Sequence, residues 1–372
     1  MEPKIRFKGF EGGWKEERLS EISSSIASGK NIDHKGPYPL YGSTGIIGTT
    51  DKPYHEGPML LVARVGANAG FLQLVNEKCG VSDNTLIVKP KDPVTDNYLF
   101  QYFKFFNLNR FIYGSGQPLI TGGMLKKMPV RYGLKEERET LIDYFTSLDS
   151  QISASTSRLA SLKQMKAASL QAMFPQEGET VPKIRFKGFE GDWKKVKLGK
   201  LFSERIENNV DGEMLSVTMN NGIIKAAENG RFDNSNSDKS KYKVVKVGDI
   251  AYNSMRMWQG ASGCSQYEGI VSPAYTVVVP NANIHSLFFA YLFKTIPMIN
   301  LFRLHSQGLT KDTWNLKYPA FSIIEVSYPE SKAEQQAIAT YFTSLDRQIS
   351  LQSQRLEKLK QIKSACLDKM FV

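Results

Sequence analysis

PKIRFKGFEGGW at residues 3–14 returns as PKIRFKGFEGDW at residues 182–193, with one change in twelve positions. Unrelated segments do not share such a string, so the chain reads first as a duplication. A second pair closes the frame. YFTSLDSQIS from Tyr144 recurs as YFTSLDRQIS from Tyr341, followed by RLASLKQMK from Arg158 or RLEKLKQIK from Arg355, and then by Met173 and Phe174 or Met370 and Phe371. The offset grows from 179 residues at the first string to 197 at the second, so the second half holds 18 more residues between its repeated ends.

Between those ends the halves diverge, apart from echoes such as GVSDNTLIVKP from Gly80 against IVSPAYTVVVP from Ile270. Held ends and drifting middles predict one scaffold carrying two different recognition surfaces. A string all but identical in both halves cannot carry their difference. It is expected to dock each variable body against a helix through Phe7, Phe10 and Trp14, or through Phe186, Phe189 and Trp193.

The second repeated strings are helical by their spacing. Phe145, Leu148, Ile152, Leu159 and Leu162 step by threes and fours, and Phe342, Leu345, Ile349, Leu356 and Leu359 repeat the pattern, with Ser155 and Gln352 interrupting at equivalent places. Two narrow seams in one chain most simply bury each other as a coiled coil, the first helix being about 30 to 35 residues long. PQEGETVP at residues 175–182 reads as a linker that ends this helix. The variable bodies contain short β-rich runs (MLLVARV, NTLIVKP, DIAYNS, YTVVVP) and apolar helical stretches (NYLFQYFKFF, HSLFFAYLFKTI) without βαβ alternation, so the fold class is α+β.

The 372 residues carry 48 Lys plus Arg against 37 Asp plus Glu, a formal charge of +11 that favours nucleic acid or another anionic partner. Cys79, Cys264 and Cys366 lie far apart with no CxxC spacing, which indicates neither a disulfide framework nor a zinc site. No apolar window reaches membrane-spanning length and the opening lacks an apolar export core, so a cytoplasmic protein with no membrane partner is expected.

Catalytic machinery is hard to find. YGSTGIIGTT from Tyr41 lacks the GK[ST] ending of a phosphate cradle, GSGQPL at Gly114 is not GxGxxG, and turns explain both. Glu330, Ser331 and Lys332 spell a nuclease-like ExK but read better as a helix start. His34, His55, His285 and His305 show no metal-ligand spacing. Nothing resembles the NPPY or FxGxG segments of an adenine methyltransferase, so no catalytic and no metal-binding residue is assigned.

The remaining signal concerns binding. VARVGANAG places Arg64 and Asn68 in a Gly-rich loop after an apolar strand, and YNSMRMWQGASG places Asn253, Arg256 and Gln259 in the corresponding loop. GSGQPLITGG supplies Gln117 and Thr121, and HSQGLTKDTW supplies Gln307, Thr310 and Lys311. Arg pairs with guanine edges and Asn or Gln with adenine edges, so these loops are candidates for base readout.

Taken in order, IRFKGFEGGW and IRFKGFEGDW, YPLYGSTGIIG and VSDNTLIVKP in the first half, and both YFTSLDxQIS helices followed by RLxxLKxxK resemble the specificity subunit of type I restriction-modification enzymes over the whole chain. That resemblance implies two target recognition domains in tandem at 1–140 and 183–330. Each is followed by a conserved spacer helix, 141–174 and 331–372, with the linker at 175–182, and the helices pair as an antiparallel coiled coil. It implies that each domain reads one half of a bipartite site in double-stranded DNA while the helices set the spacer. The chain itself would be a non-catalytic subunit that binds no cofactor. Two modification (methyltransferase) subunits would use S-adenosylmethionine for adenine methylation, and restriction subunits would use ATP and Mg2+. The alternative from a different class is a basic coiled-coil adaptor that assembles proteins with only non-specific DNA contact.

Overall fold

The computed structural model describes residues 2–30, 35–92, 94–108, 118–229 and 238–372. They form two units, one of Met1–Ser157 with Ser353–Val372, the other of Arg158–Gln352. Each copy of the repeated string belongs to a unit of its own.

In the first unit the chain runs β1 (Lys15–Arg18), α1 (Leu19–Ile22), β2 (Ser23–Ser28), β3 (Tyr38–Gly42), β4 (Gly45–Thr50), β5 (His55–Glu56), β6 (Met59–Ala63), β7 (Leu72–Val75), β8 (Lys78–Val81), β9 (Thr85–Pro90), α2 (Val94–Phe106), α3 (Gly122–Lys127) and β10 (Pro129–Tyr132), then enters α4 (Lys135–Ala172). One four-stranded sheet has the order β2-β9-β6-β7 and a second has β4-β3-β8-β5, while β1 pairs with β10 as a clasp at the base of the module. The run MLLVA in β6 is apolar throughout because both of its faces are covered. Leu60 and Val62 meet Tyr98, Leu99, Tyr102 and Phe103 of α2, whereas Met59 and Leu61 join Val75, Cys79, Val81 and Ile87 on the opposite face.

The second unit contains β11 (Lys194–Lys197), β12 (Phe202–Glu204), β13 (Leu215–Thr218), β14 (Gly222–Lys225), β15 (Lys243–Val245), β16 (Ile250–Asn253), β17 (Ser262–Cys264), β18 (Gly269–Val271), β19 (Tyr275–Pro280), α5 (Ser286–Leu292), α6 (Ile296–His305), α7 (Tyr318–Ser322), β20 (Glu325–Tyr328) and the start of α8 (Lys332–Met370). Its four-stranded sheet β12-β19-β16-β17 repeats the plan of β2-β9-β6-β7, and the β11-β20 clasp repeats β1-β10. Again the central strand faces two ways. Ile250 and Tyr252 point into the main core and Ala251 into a smaller one with Leu215, Val217 and Val277. The stretch HSLFFAYLFKTI, expected as one helix, is divided: α5 ends at Leu292 and α6 opens at Ile296 with Pro297 in its first turn. Proline has no N–H to continue a helix but suits the start of a new one. With mixed helix and mainly antiparallel strand in both modules, the class is α+β, as the sequence predicts.

The two long helices pair within each unit. In the first unit the Tyr144 hydroxyl lies 3.3 Å from Cys366 Sγ, and Lys363 Nζ donates to Asp149 Oδ1. In the second, Ser169 Oγ and the Tyr341 hydroxyl are 2.9 Å apart and Lys166 Nζ donates to Asp346 Oδ1 at 2.5 Å. Numbers rise along one helix as they fall along the other, so both pairings are antiparallel. Phe145, Leu148, Leu162, Phe342, Leu345 and Leu356 are buried, while Ile152, Leu159, Ile349 and Leu359 are half-buried. The helix α4 has 38 residues, more than the 30 to 35 expected, because KEERET ahead of the seam is also helical.

Candidate nucleic-acid interface

The two modules present the same construction at the end of their central strand. After Ala63 the chain makes a seven-residue turn before Phe71, closed by Ala63 N–H to Phe71 O at 2.8 Å and Gly70 N–H to Ala63 O at 2.9 Å. After Asn253 a turn of the same length closes through Asn253 N–H to Ala261 O at 2.9 Å. Each turn contains one short 3-10 segment, Gly66–Asn68 or Met257–Gln259. Each is crossed by a later piece of chain: Ile120 N–H donates to Arg64 O at 2.8 Å, and Leu316 N–H donates to Ser254 O at 2.8 Å. By these bonds Ser254, not Arg256, occupies the position of Arg64.

The candidate side chains therefore sit in matching turns but at different places along them. Arg64 is half-buried, and its Nε is enclosed without a hydrogen-bond partner, beside a segment where Ser82 Oγ and Thr85 Oγ1 are also enclosed and unpartnered. Arg256 is exposed, and its Nη1 donates to Gln259 Oε1 at 3.1 Å. Asn68 is exposed. Asn253 is engaged locally, its Oδ1 accepting from Met255 N–H at 3.1 Å, and Thr121 caps α3, its Oγ1 accepting from Met124 N–H at 3.2 Å. Gln307, Thr310 and Lys311 are exposed on one loop after α6. Gln117 lies outside the described residues.

Side chains that sequence reasoning did not single out hold the second turn in place. Trp258, inside the turn, packs edge-on against Trp314 with ring centroids 5.3 Å apart. Lys294, on the segment between α5 and α6, donates through Nζ to the carbonyls of Gly260 and Met219, the latter at 3.0 Å, and burial pushes its ammonium down to about 8. An aromatic pair at this point was not legible because its two members lie 56 positions apart in unrelated stretches.

The repeated string makes matching principal contacts in the two modules. Arg6 donates from Nε and Nη2 to the two oxygens of Glu137 at 2.6 and 2.8 Å, and Trp14 Nε1 donates to the same carboxylate at 3.1 Å. Arg185 grips Glu334 at 2.7 and 2.8 Å, and Trp193 Nε1 completes that set at 3.2 Å. Phe7 meets Tyr144 edge-on and Phe186 meets Tyr341 likewise. The far end of the partner helix closes the same seat. In the first unit Ile5 N–H donates to Lys369 O and Phe371 lies 6.3 Å from the Trp14 ring; in the second Ile184 N–H donates to Ala172 O and Phe174 lies 6.1 Å from Trp193. The string thus docks each module on the helices, through Arg and Trp more than through Phe10 or Phe189. The signal was present in the sequence, because Glu137 and Glu334 recur at the same offset as the helices.

Among the described residues no group of three or more His, Cys, Asp or Glu side chains is placed to hold a metal ion. Among them, too, no single helix is long and apolar enough to cross a membrane. A surface depression of about 350 Å3 between the start of α5 and α8 is lined by His285, Gln336, Thr340 and Arg347 among others, without a nucleophile and base in partnership.

Comparison with known proteins agrees with this architecture. A curated relative, the EcoprrI type I restriction enzyme specificity subunit of Escherichia coli, is 26% identical over 159 residues; the match spans 40% of this chain and 40% of the relative's length. The type I restriction-modification S subunit from M. genitalium superposes with a TM-score of 0.66 at 14% identity, over 100% of this chain and 99% of that one. A chain from a structure on complex assembly and conformational transition of the type I R-M system gives 0.51 at 15% identity, over 98% and 99%. These two likenesses concern the fold. The family model described as the type I restriction modification DNA specificity domain matches residues 11–164 and 190–361, one match to each copy of the duplicated frame. The chain belongs to the type I restriction modification DNA specificity domain family.

Proposed function

We propose that each module reads one half of a bipartite double-stranded DNA site, and that the paired helices set the unread spacer and seat two modification subunits. The chain supplies no chemistry of its own in this reading. Methyl transfer from S-adenosylmethionine to adenine belongs to the modification subunits, and ATP- and Mg2+-dependent translocation and cleavage to restriction subunits. The observation that carries the proposal is the pair of seven-residue turns: same length, one closing and one crossing backbone bond in common, but Arg64 and Asn68 in one against Ser254, Arg256 and Gln259 in the other. A conserved frame with exchanged donors and acceptors is what two different base readouts require. Dispersed Lys and Arg would add salt-dependent phosphate contacts that carry no sequence information.

The test uses the full chain assembled with its modification subunits. Arg64→Ala is expected to relax methylation preference at one half-site only, and Arg256→Ala at the other only, with about 1 to 3 kcal/mol of lost discrimination each, read by methylome sequencing. A uniform loss of affinity with both preferences unchanged overturns base readout by these turns.

A further inference from the structure

Leu309 is the most exposed large apolar side chain among the described residues, at 101% of its reference area. A single surface leucine is ordinary, and exposure alone says nothing. What sets this one apart is the construction beneath it. Gln307 and Asn315 exchange two backbone hydrogen bonds, 3.0 and 2.8 Å, that close the loop at its base. Within it, Thr313 N–H donates to Thr310 O at 3.0 Å, and Thr313 Oγ1 accepts from Thr310 N–H at 3.1 Å. Gly308 holds φ +144°, where an added Cβ would come within 2.5 Å of Thr313 O, so only glycine lets the chain turn there. The apex is therefore held out by design of the backbone, with Leu309 at the tip and Lys311 beside it.

The loop also has a fixed neighbour. Trp314, at its base, packs against Trp258 of the turn that carries Arg256 and Gln259. The loop that carries this apolar tip and its neighbouring cation thus packs, at its base, on the candidate base-reading turn of the second module. Proteins that open a duplex use this combination: cationic groups hold the backbone while an apolar side chain enters between base pairs and unstacks the step. A base that is to be modified must leave the stack, and the gap it leaves is a desolvated apolar slot.

Resting on the reading of the modules as DNA readers, we propose that Leu309 is a wedge that inserts between base pairs of the half-site read by the second module and holds one step open. Its contribution is apolar, so it differs in kind from that of Lys311. Removing Lys311 reduces the salt dependence of binding by about one ion, whereas removing Leu309 weakens binding without altering that slope.

The experiment uses the full chain assembled with its modification subunits and a duplex in which a fluorescent adenine analogue, brightened by unstacking, is moved step by step through both half-sites. The wild-type complex is expected to show a rise at the adenines extruded for methylation and, in the half-site read by the second module, a rise at one further step. In Leu309→Ala that further rise is lost and affinity falls about tenfold, with base preference and salt slope unchanged. Leu309→Met, which keeps the apolar bulk, retains both the rise and the affinity. Unchanged fluorescence and affinity in Leu309→Ala overturn the wedge, as does a loss of the rise accompanied by altered base preference, which would make Leu309 a base reader. A wild-type complex that methylates its site with no rise beyond those at the extruded adenines also overturns the wedge while leaving the module reading intact. The module reading fails separately, when Arg64→Ala and Arg256→Ala leave both preferences untouched.

Discussion

Glu334 is 2% exposed at its side chain and is gripped by Nε and Nη2 of the Arg185 guanidinium and by the indole of Trp193. A buried carboxylate of this kind is held by geometry and hydrogen bonding together with charge, since Coulomb attraction alone does not reliably offset the cost of burying it. Truncating it strands a partly buried guanidinium and an indole N–H. Glu334→Ala is expected to lower the stability of the second unit by about 3 kcal/mol. Amide hydrogen exchange in β11, β20 and the first turns of α8 would show it as lost protection; unchanged protection there would mean that the seat is held by the aromatic contacts alone. Glu137, with Arg6 and Trp14, is the same device in the first unit.

At the scale of elements, the helix register is written in charge as well as in apolar spacing. The narrow seam is interrupted at Ser155 and Gln352, both buried, so apolar contact by itself leaves the register loosely specified there. Asp149 with Lys363, and Asp346 with Lys166, mark one axial alignment at each end of the helices. In the first unit Gln101 also donates to Asp149, and in the second the Tyr291 hydroxyl donates to Asp346 at 2.9 Å, which ties each pair to its own module. These pairs are partly exposed and their net contribution is modest. Asp346→Lys is expected to destabilise the second unit by about 1 kcal/mol, and Lys166→Asp in the same chain to restore most of it. A double-mutant cycle by denaturant unfolding measures this coupling; a coupling of zero would leave the register to the apolar seam.

At the scale of the molecule, each module begins and ends at a two-stranded clasp, β1 with β10 and β11 with β20. The clasp brings entry and exit side by side, so everything between is exchangeable in principle without disturbing the helices. Replacing 194–328 by a second copy of 15–132 is expected to yield a complex that methylates a symmetric site built from two copies of the first half-site. Methylome sequencing reads the outcome directly. A complex that is assembled and active but still methylates the original bipartite site would show that specificity lies outside the modules.

The sequence by itself determined the plan: two copies of one frame, long helices with a shared seam, and variable bodies between. Repetition and apolar period are local signals, and MLLVARV, NTLIVKP, DIAYNS and YTVVVP all became core strands because a run apolar on both faces has few other places to go. What only the tertiary structure decided is which residues meet. Trp258 and Trp314 are 56 positions apart, and no repeat or periodicity links them. The same holds for Arg64 and Arg256, which the sequence sets in corresponding loops but the backbone bonds place at different positions of the turn. The tip at Leu309 was invisible for the same reason. In sequence it is one more leucine, and its exposure is a property of the closed loop, which exists only once Gln307 and Asn315 have found each other.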